Sequence, residues 1–348
     1  MIFPPLLLAF VSLLPGSSSV SVTQCGADPT GKTDSTQAFA TCLSSVPAGD
    51  ILVPAGNYII GGSIVKNRNQ NLIGSGSKVS VLECRSVTSP CIVVADTSGV
   101  NNYTDSRIED LTIQGPGIDT TSIGVYFGGD PSGHFSSSNA FADAANLVSV
   151  RILGFHYGIE WGNNAYVNKL VRTLVFGNAT GLYVPAGVTN SGENTGLTDT
   201  AVFNNRDFGI DDHGSFEWML SGASLDYNGT AIEFFGSVIH AVNSHFEQSG
   251  AQVILQPAGS GSLSIRDSEI IVQASSGSDP YVLSTWPQNL NVAIDNVSIW
   301  SNHPVQYFMH VQGNITGSIN NLYGNGNKLI HAMADASSKA VVSANAAF

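Results

Sequence analysis

The chain has 348 residues, of which 11% are charged, and its 26 acidic against 13 basic side chains give a formal net charge of −13. Thirteen scattered cations cannot build the basic face that nucleic acid requires, and the composition lacks the Ala, Glu, Lys and Leu excess of a helical bundle. With 43% hydrophobic residues and a mean hydropathy of +0.12, the chain is not a disordered one either.

The chain opens on an apolar run from Leu6 to Leu14, followed by Pro15, Gly16 and a serine cluster. At this length it reads as a secretory leader, since a membrane span needs ~20 residues. The expected division is a signal peptide over 1–20 and one domain over 21–348, secreted and with no membrane anchor in the mature form. Cys25, Cys42, Cys84 and Cys91 then form an even set, which behind a leader implies disulfides. Three pairings are possible; the short loops favour Cys25–Cys42 and Cys84–Cys91. Sequons stand at Asn102, Asn178, Asn228, Asn296 and Asn314.

Asp34-x-x-Gln37 has the form of a capping box, and Ala38, Phe39, Cys42 and Leu43 follow on one helical face. A short helix is predicted over 34–44. After it come short β-branched runs separated by Gly, Asn, Ser and Asp, such as Ile51–Val53, Tyr58–Ile60 and Val79–Leu82.

From about residue 147 the chain repeats. Val150–Glu160, Thr173–Tyr183, Ala201–Asp211, Ala223–Glu233 and Ser244–Ile254 each read strand, tight turn, strand. The apolar position after the turn recurs at Ile159, Leu182, Ile210, Ile232 and Val253, at intervals of 23, 28, 22 and 21. Strand repeats of this length are the mark of a solenoid. The predicted fold is therefore all-β, a right-handed parallel β-helix, with the helix at 34–44 capping its open N-terminal end.

Two stretches, Gly26-Ala-Asp-Pro-Thr-Gly-Lys-Thr-Asp-Ser-Thr-Gln-Ala-Phe39 and Val53-Pro-Ala-Gly-Asn-Tyr58, resemble the N-terminal coil of the pectate-lyase-like superfamily. That group holds polygalacturonases, rhamnogalacturonases, related lyases and phage tailspikes. The resemblance implies a secreted β-helix acting on polysaccharide. It covers residues 25–82 and marks a structural cap. The polygalacturonase set Asn-Thr-Asp, Asp-Asp, Gly-His-Gly and Arg-Ile-Lys is not matched. Asp211-Asp212-His213-Gly214 is similar to fragments of it, but Ser264-Ile265-Arg266 is a poor substitute for Arg-Ile-Lys, so that mechanism does not carry over. His245-Phe246-Glu247 is similar to a triplet of tailspike-like members.

The repeat register supplies the candidate chemistry. Aligning the inward apolar column puts Glu160, Tyr183, Asp211 and Glu233 in one outward column, with Asp211 and Glu233 on adjacent coils ~4.8 Å apart. Paired carboxylates are what glycoside hydrolysis uses, one as proton donor and one as nucleophile or base. The expected catalytic residues are Asp211, Glu233, Glu160 and His213. The expected substrate-binding residues are Tyr183, Asp212, Asp226, His245, Glu247, Trp161 and Trp218, with Asn204, Asp226 and Glu247 forming a second column. The Asp211–Glu233 pair is also readable as a cation site or as solvated ladder residues. Three functions stay open: a glycoside hydrolase with no cofactor, a calcium-assisted lyase, and a non-catalytic glycan-binding β-helix. In each the partner is a polysaccharide, and the molecule is a monomer or a homotrimer.

Overall fold

A computed structural model of the protein describes residues 18–98, 106–130, 132–248, 252–273, 281–285, 289–301, 307–311, 313–324, 333–334 and 340–346. The expected leader lies almost wholly outside them, as does the sequon at Asn102. Among the described residues, no helix is long and apolar enough to cross a membrane.

Parallel strands stack coil upon coil into a right-handed β-helix. One wall, termed here the site sheet, has eleven described strands running from Ile64–Lys66 to Met333–Ala334. The other two walls join into a single 22-stranded sheet, because late strands such as Gly261–Val272 and Asn289–Ser301 turn the corner without a break. Parallel pairing fixes the rung at ~4.8 Å, so each side chain sits above the equivalent one of the next coil.

The interior follows from period-2 alternation. On the site sheet Ile64, Ile92, Val125, Ile159, Leu182, Ile210, Ile232 and Ile254 form one ladder, and all eight are fully buried. Burying such a side chain contributes ~1.5–3 kcal/mol, which is repeated on every coil. The expected column ended on Val253; Ile254 takes that rung instead. Val253 is buried too, so the apolar pattern alone does not separate the two.

The helix α1 (Thr36–Ser45) buries Ala38, Phe39, Cys42 and Leu43, the face read from the sequence. Its start differs from the expected capping box. Ser35 is the N-cap and makes no side-chain cap bond. Asp34 Oδ1 instead accepts the Thr36 amide at 2.9 Å and the Gly61 amide at 3.2 Å, tying the helix to the next coil. Asp28 similarly accepts from the amides and hydroxyls of Thr30 and Thr33. Those donors hold its carboxyl far below the usual range. The Asp-Pro-Thr-Gly-Lys-Thr-Asp stretch is thus a hydrogen-bonded lid on the solenoid end. Cys25–Cys42 ties it to the helix, and Cys84–Cys91 closes a second short loop.

A buried asparagine ladder lines the turn that leads into the site sheet. Asn178 Nδ2 donates to Asn205 Oδ1 at 3.1 Å, and Asn205 Nδ2 donates to Asn228 Oδ1 at 2.9 Å. Each of the three amides also donates to a carbonyl, of Ile152, Val175 or Val202. The ladder satisfies polar groups that would otherwise be stranded in the core. It also corrects the sequon reading: Asn178 and Asn228 are 1% and 2% exposed and cannot carry a glycan in the folded chain. Asn296 and Asn314 are exposed.

Candidate functional site

The outward ladder of the site sheet contains Tyr126, Glu160, Tyr183, Asp211 and Glu233 on successive coils. The stretch Glu160–Tyr183–Asp211–Glu233 is in the register expected from the repeat. A one-residue slip would have turned all four inward, so the interior ladder of isoleucines and leucines is what fixes it.

Asp211 and Glu233 are brought together with His213. One ligand atom from each lies within 4.8 Å of the other two. His213 follows the end of the strand Phe208–Asp212 and folds back, so its Nε2 stands 2.9 Å from Asp211 Oδ1. That contact is a hydrogen bond when Nε2 carries the proton; Asp211 Oδ1 is otherwise a buried oxygen with no hydrogen-bond partner. The imidazole is held in place by stacking on Phe235, with centroids 4.2 Å apart.

Burial governs the titration of this site. Asp211 is pushed up to about 7, by desolvation first and by the neighbouring Asp212 second. Glu233 is also pushed up to about 7, by desolvation and by Asp211, with His213 opposing. Glu160 is 8% exposed and is pushed up to about 8 by desolvation, with Asp130 adding to it. Tyr183 is raised by its own burial and then by Tyr157 and the nearby carboxylates. Groups that change charge near neutrality, gathered on one face, mark a candidate site for proton transfer.

Three expected substrate-binding residues are corrected here. Asp212 is fully buried. It faces inward, where it accepts from Trp218 Nε1 at 2.7 Å, Ser237 Oγ at 2.5 Å and the Gly214 amide at 2.8 Å. Trp161 and Trp218 are fully buried as well, edge to face at 5.5 Å in an aromatic cluster with Phe216. None of the three can touch a glycan. Strand alternation explains it, since the residue after an outward Asp211 must point in. Together they brace the strand end that carries Asp211 and His213.

Asp226, His245 and Glu247 assemble elsewhere, on the outward face of the wall that precedes the site sheet along each coil. His245 Nε2 is 3.7 Å from both Asp226 and Glu247, and its Nδ1 is 3.1 Å from Glu269. The expected second column is off by one at its start. Phe203, not Asn204, pairs with Asp226, because Asn204 occupies the turn at φ 52°.

Sequence reasoning missed Tyr157, Asp130 and Glu269. Tyr157 stacks on Tyr183 with centroids 4.1 Å apart. It has the parity of inward Ile159 but sits at the first position of its strand, where alternation is not yet enforced. Asp130 lies in the loop after Phe127, which no repeat covers. Glu269 was visible in principle, as the rung after His245, but falls where the repeat is weak.

The donor set of Asp211, His213 and Glu233 suits a borderline divalent metal better than calcium, which takes six to eight oxygens and rarely an imidazole. These residues do not fit the calcium expected of a lyase.

The model of the family described as "Rhamnogalacturonase A/epimerase, pectate lyase-like" matches residues 19–249. No curated protein matches the chain in sequence. Solved structures share its fold. The A-module of the Azotobacter vinelandii mannuronan C-5 epimerase AlgE6 superimposes with a TM-score of 0.61 at 14% identity, over 94% of this chain and 99% of that one. The DFA-IIIase of Arthrobacter chlorophenolicus A6 without its lid gives 0.65 at 11% identity, over 92% of each chain. The catalytic unit of a GH87 α-1,3-glucanase from Streptomyces thermodiastaticus gives 0.56 at 16% identity, over 95% of this chain and 69% of that one.

Proposed function

Since the chain belongs to the rhamnogalacturonase A/epimerase, pectate lyase-like family, we propose that it is a secreted polysaccharide-cleaving enzyme, a glycoside hydrolase that works through Asp211 and Glu233. The observation that carries this reading is the pairing of these two carboxyls on adjacent rungs, each titrating near 7. The neighbours of known structure, an epimerase and a glucanase among them, act on carbohydrate and accord with it.

Two carboxyls so close share their protons as a pair, and over a range near neutrality one is ionised while the other holds a proton. Asp211, facing His213 Nε2, is the ionised member. Glu233, whose charge Asp211 opposes, is the proton donor to the leaving oxygen. Retaining glycosidases place their carboxyls ~5–5.5 Å apart and inverting ones ~6.5–9.5 Å, to leave room for a water. Asp211 and Glu233 stand on adjacent rungs and offer oxygens within 4.8 Å of each other, the close spacing of a retaining pair, with Asp211 as nucleophile. Glu160 lies two rungs from Asp211, ~10 Å away by strand spacing, the separation of an inverting pair.

Among the described residues the ladder of Glu160, Asp211 and Glu233 carries no lysine or arginine, so nothing on it pairs with the charges of a polyanion. A neutral or weakly charged stretch of a plant-wall or capsular polysaccharide fits best. The two disulfides and the apolar leader support an extracellular location.

The test is digestion of a polysaccharide panel with the wild-type protein, following reducing ends, ultraviolet absorbance and the anomer formed. Reducing ends without absorbance, with retained configuration and loss of both in Asp211→Asn and Glu233→Gln, is the expected result. An absorbing unsaturated product would make the enzyme a lyase. Inversion would move the pair to Asp211 and Glu160. Full activity in both variants would remove the pair altogether.

A further inference from the structure

We propose that the wall bearing His245 holds a second carbohydrate-binding site, distinct from the Asp211–Glu233 site, which takes a neutral polysaccharide along the solenoid axis. Two outward ladders run side by side there. One carries His245, Glu269, Ser298 and Tyr323 on successive rungs, and the other carries Asp226, Glu247, Ile271 and Trp300. A concavity of about 400 Å³ opens on the first ladder and includes His245, Glu269, Ser298 and Tyr323.

The two ends of this track differ. At one end polar groups crowd around His245, whose Nε2 stands 3.7 Å from Asp226 Oδ1 and whose Nδ1 stands 3.1 Å from Glu269. At the other end the residues Trp300 and Tyr323 are 44% and 47% exposed. Isolated large aromatics on a flat sheet leave apolar area in water, and a sugar's C–H face covers such a ring while its hydroxyls bond the polar rim. Carboxylates accept two neighbouring hydroxyls at once, as the half-exposed Glu269 is placed to do. Rungs repeat at ~4.8 Å, the scale of one sugar unit, so a linear chain can meet successive rungs. With three carboxylates around one imidazole, the patch favours an uncharged glycan over a uronate.

The proposal is independent of what the first site catalyses, because binding is read without turnover. Affinity electrophoresis of the full chain in gels of mixed-linkage glucan, arabinoxylan and galactomannan, with polygalacturonate as the anionic control, gives the readout. At least one neutral polymer is expected to retard the protein. In Trp300→Ala/Tyr323→Ala, and separately in Glu269→Gln, the dissociation constant from that retardation should rise about tenfold or more, with circular dichroism and cleavage of short oligosaccharides unchanged. The proposal is overturned if none of the three neutral polymers retards the protein. It is also overturned if the variants are retarded like wild type, or if retardation is lost only in Asp211→Asn or Glu233→Gln. A shift of the aromatic variant from oligomer to monomer in sedimentation would show that this face binds a second copy of the chain instead, which likewise overturns it.

Discussion

Two clusters in this molecule use the same residue types at the same rung spacing, yet differ in environment. Asp211, Glu233 and His213 sit on the site sheet beside Glu160. The first two are pushed up to about 7, and Glu160 to about 8, mainly by burial. Asp226, Glu247, Glu269 and His245 lie on another wall, where much of their bonding capacity is already used. Ser224 donates to Asp226, and Tyr227 and Gln273 donate to Glu247. Asp226 is raised by burial as well, but the Ser224 hydroxyl and His245 pull against it. Residue type and stacking alone thus do not set how a carboxyl titrates; desolvation and the donors that oppose it do.

The comparison breaks most sharply in catalysis. Asp211→Asn or Glu233→Gln is expected to lower kcat by about 10²- to 10⁴-fold. Glu269→Gln, on the other wall, should change kcat on short substrates by less than about threefold, an order below any acid–base contribution. Equal losses in steady-state assays of the two sets would erase the distinction drawn between the clusters.

The next effect is on stability. Asp212→Ala strands the Trp218 indole N–H, the Ser237 hydroxyl and the Gly214 amide in the interior. At about 1–3 kcal/mol for each buried unsatisfied group, partly relieved by water, a net loss of about 2–4 kcal/mol is expected in denaturant melts. Unchanged stability would mean that Asp212 does not brace the strand end. Asn205→Ala breaks the middle of the asparagine ladder and should cost about 1–3 kcal/mol, read from the same melts.

A separate effect is the pH dependence of folding. A carboxyl raised in the folded chain binds its proton more tightly there than in the unfolded chain. Its contribution is therefore present below the ordinary carboxylate range and is lost as pH rises through the folded value. With Asp211 and Glu233 near 7 and Glu160 near 8, stability should fall between about pH 5 and pH 8. Glu233→Gln should flatten that slope. Chemical denaturation at a series of pH values measures both.

The sequence by itself determined the coil, the inward ladder and the adjacency of Asp211 and Glu233. It also determined the buried face of α1. Each follows from local regularities: apolar residues alternate with period two, parallel strands repeat at a fixed spacing, and a helix face recurs every three to four residues. Tertiary structure decided where those regularities end. Asp212 and Trp218 are large polar or amphipathic side chains of the sort that line grooves; alternation after Asp211 turns Asp212 inward, and packing shows that the two meet there. His213 reaches Asp211 because the chain turns back at the strand end, which no period describes. Asn178 and Asn228 stand in sequons, and only the ladder shows that they are buried. Glu269 joins His245 from a coil with a faint repeat. Burial, charge and hydrogen bonding at these points are sums over neighbours distant in the chain, so they become definite only once the coils are stacked.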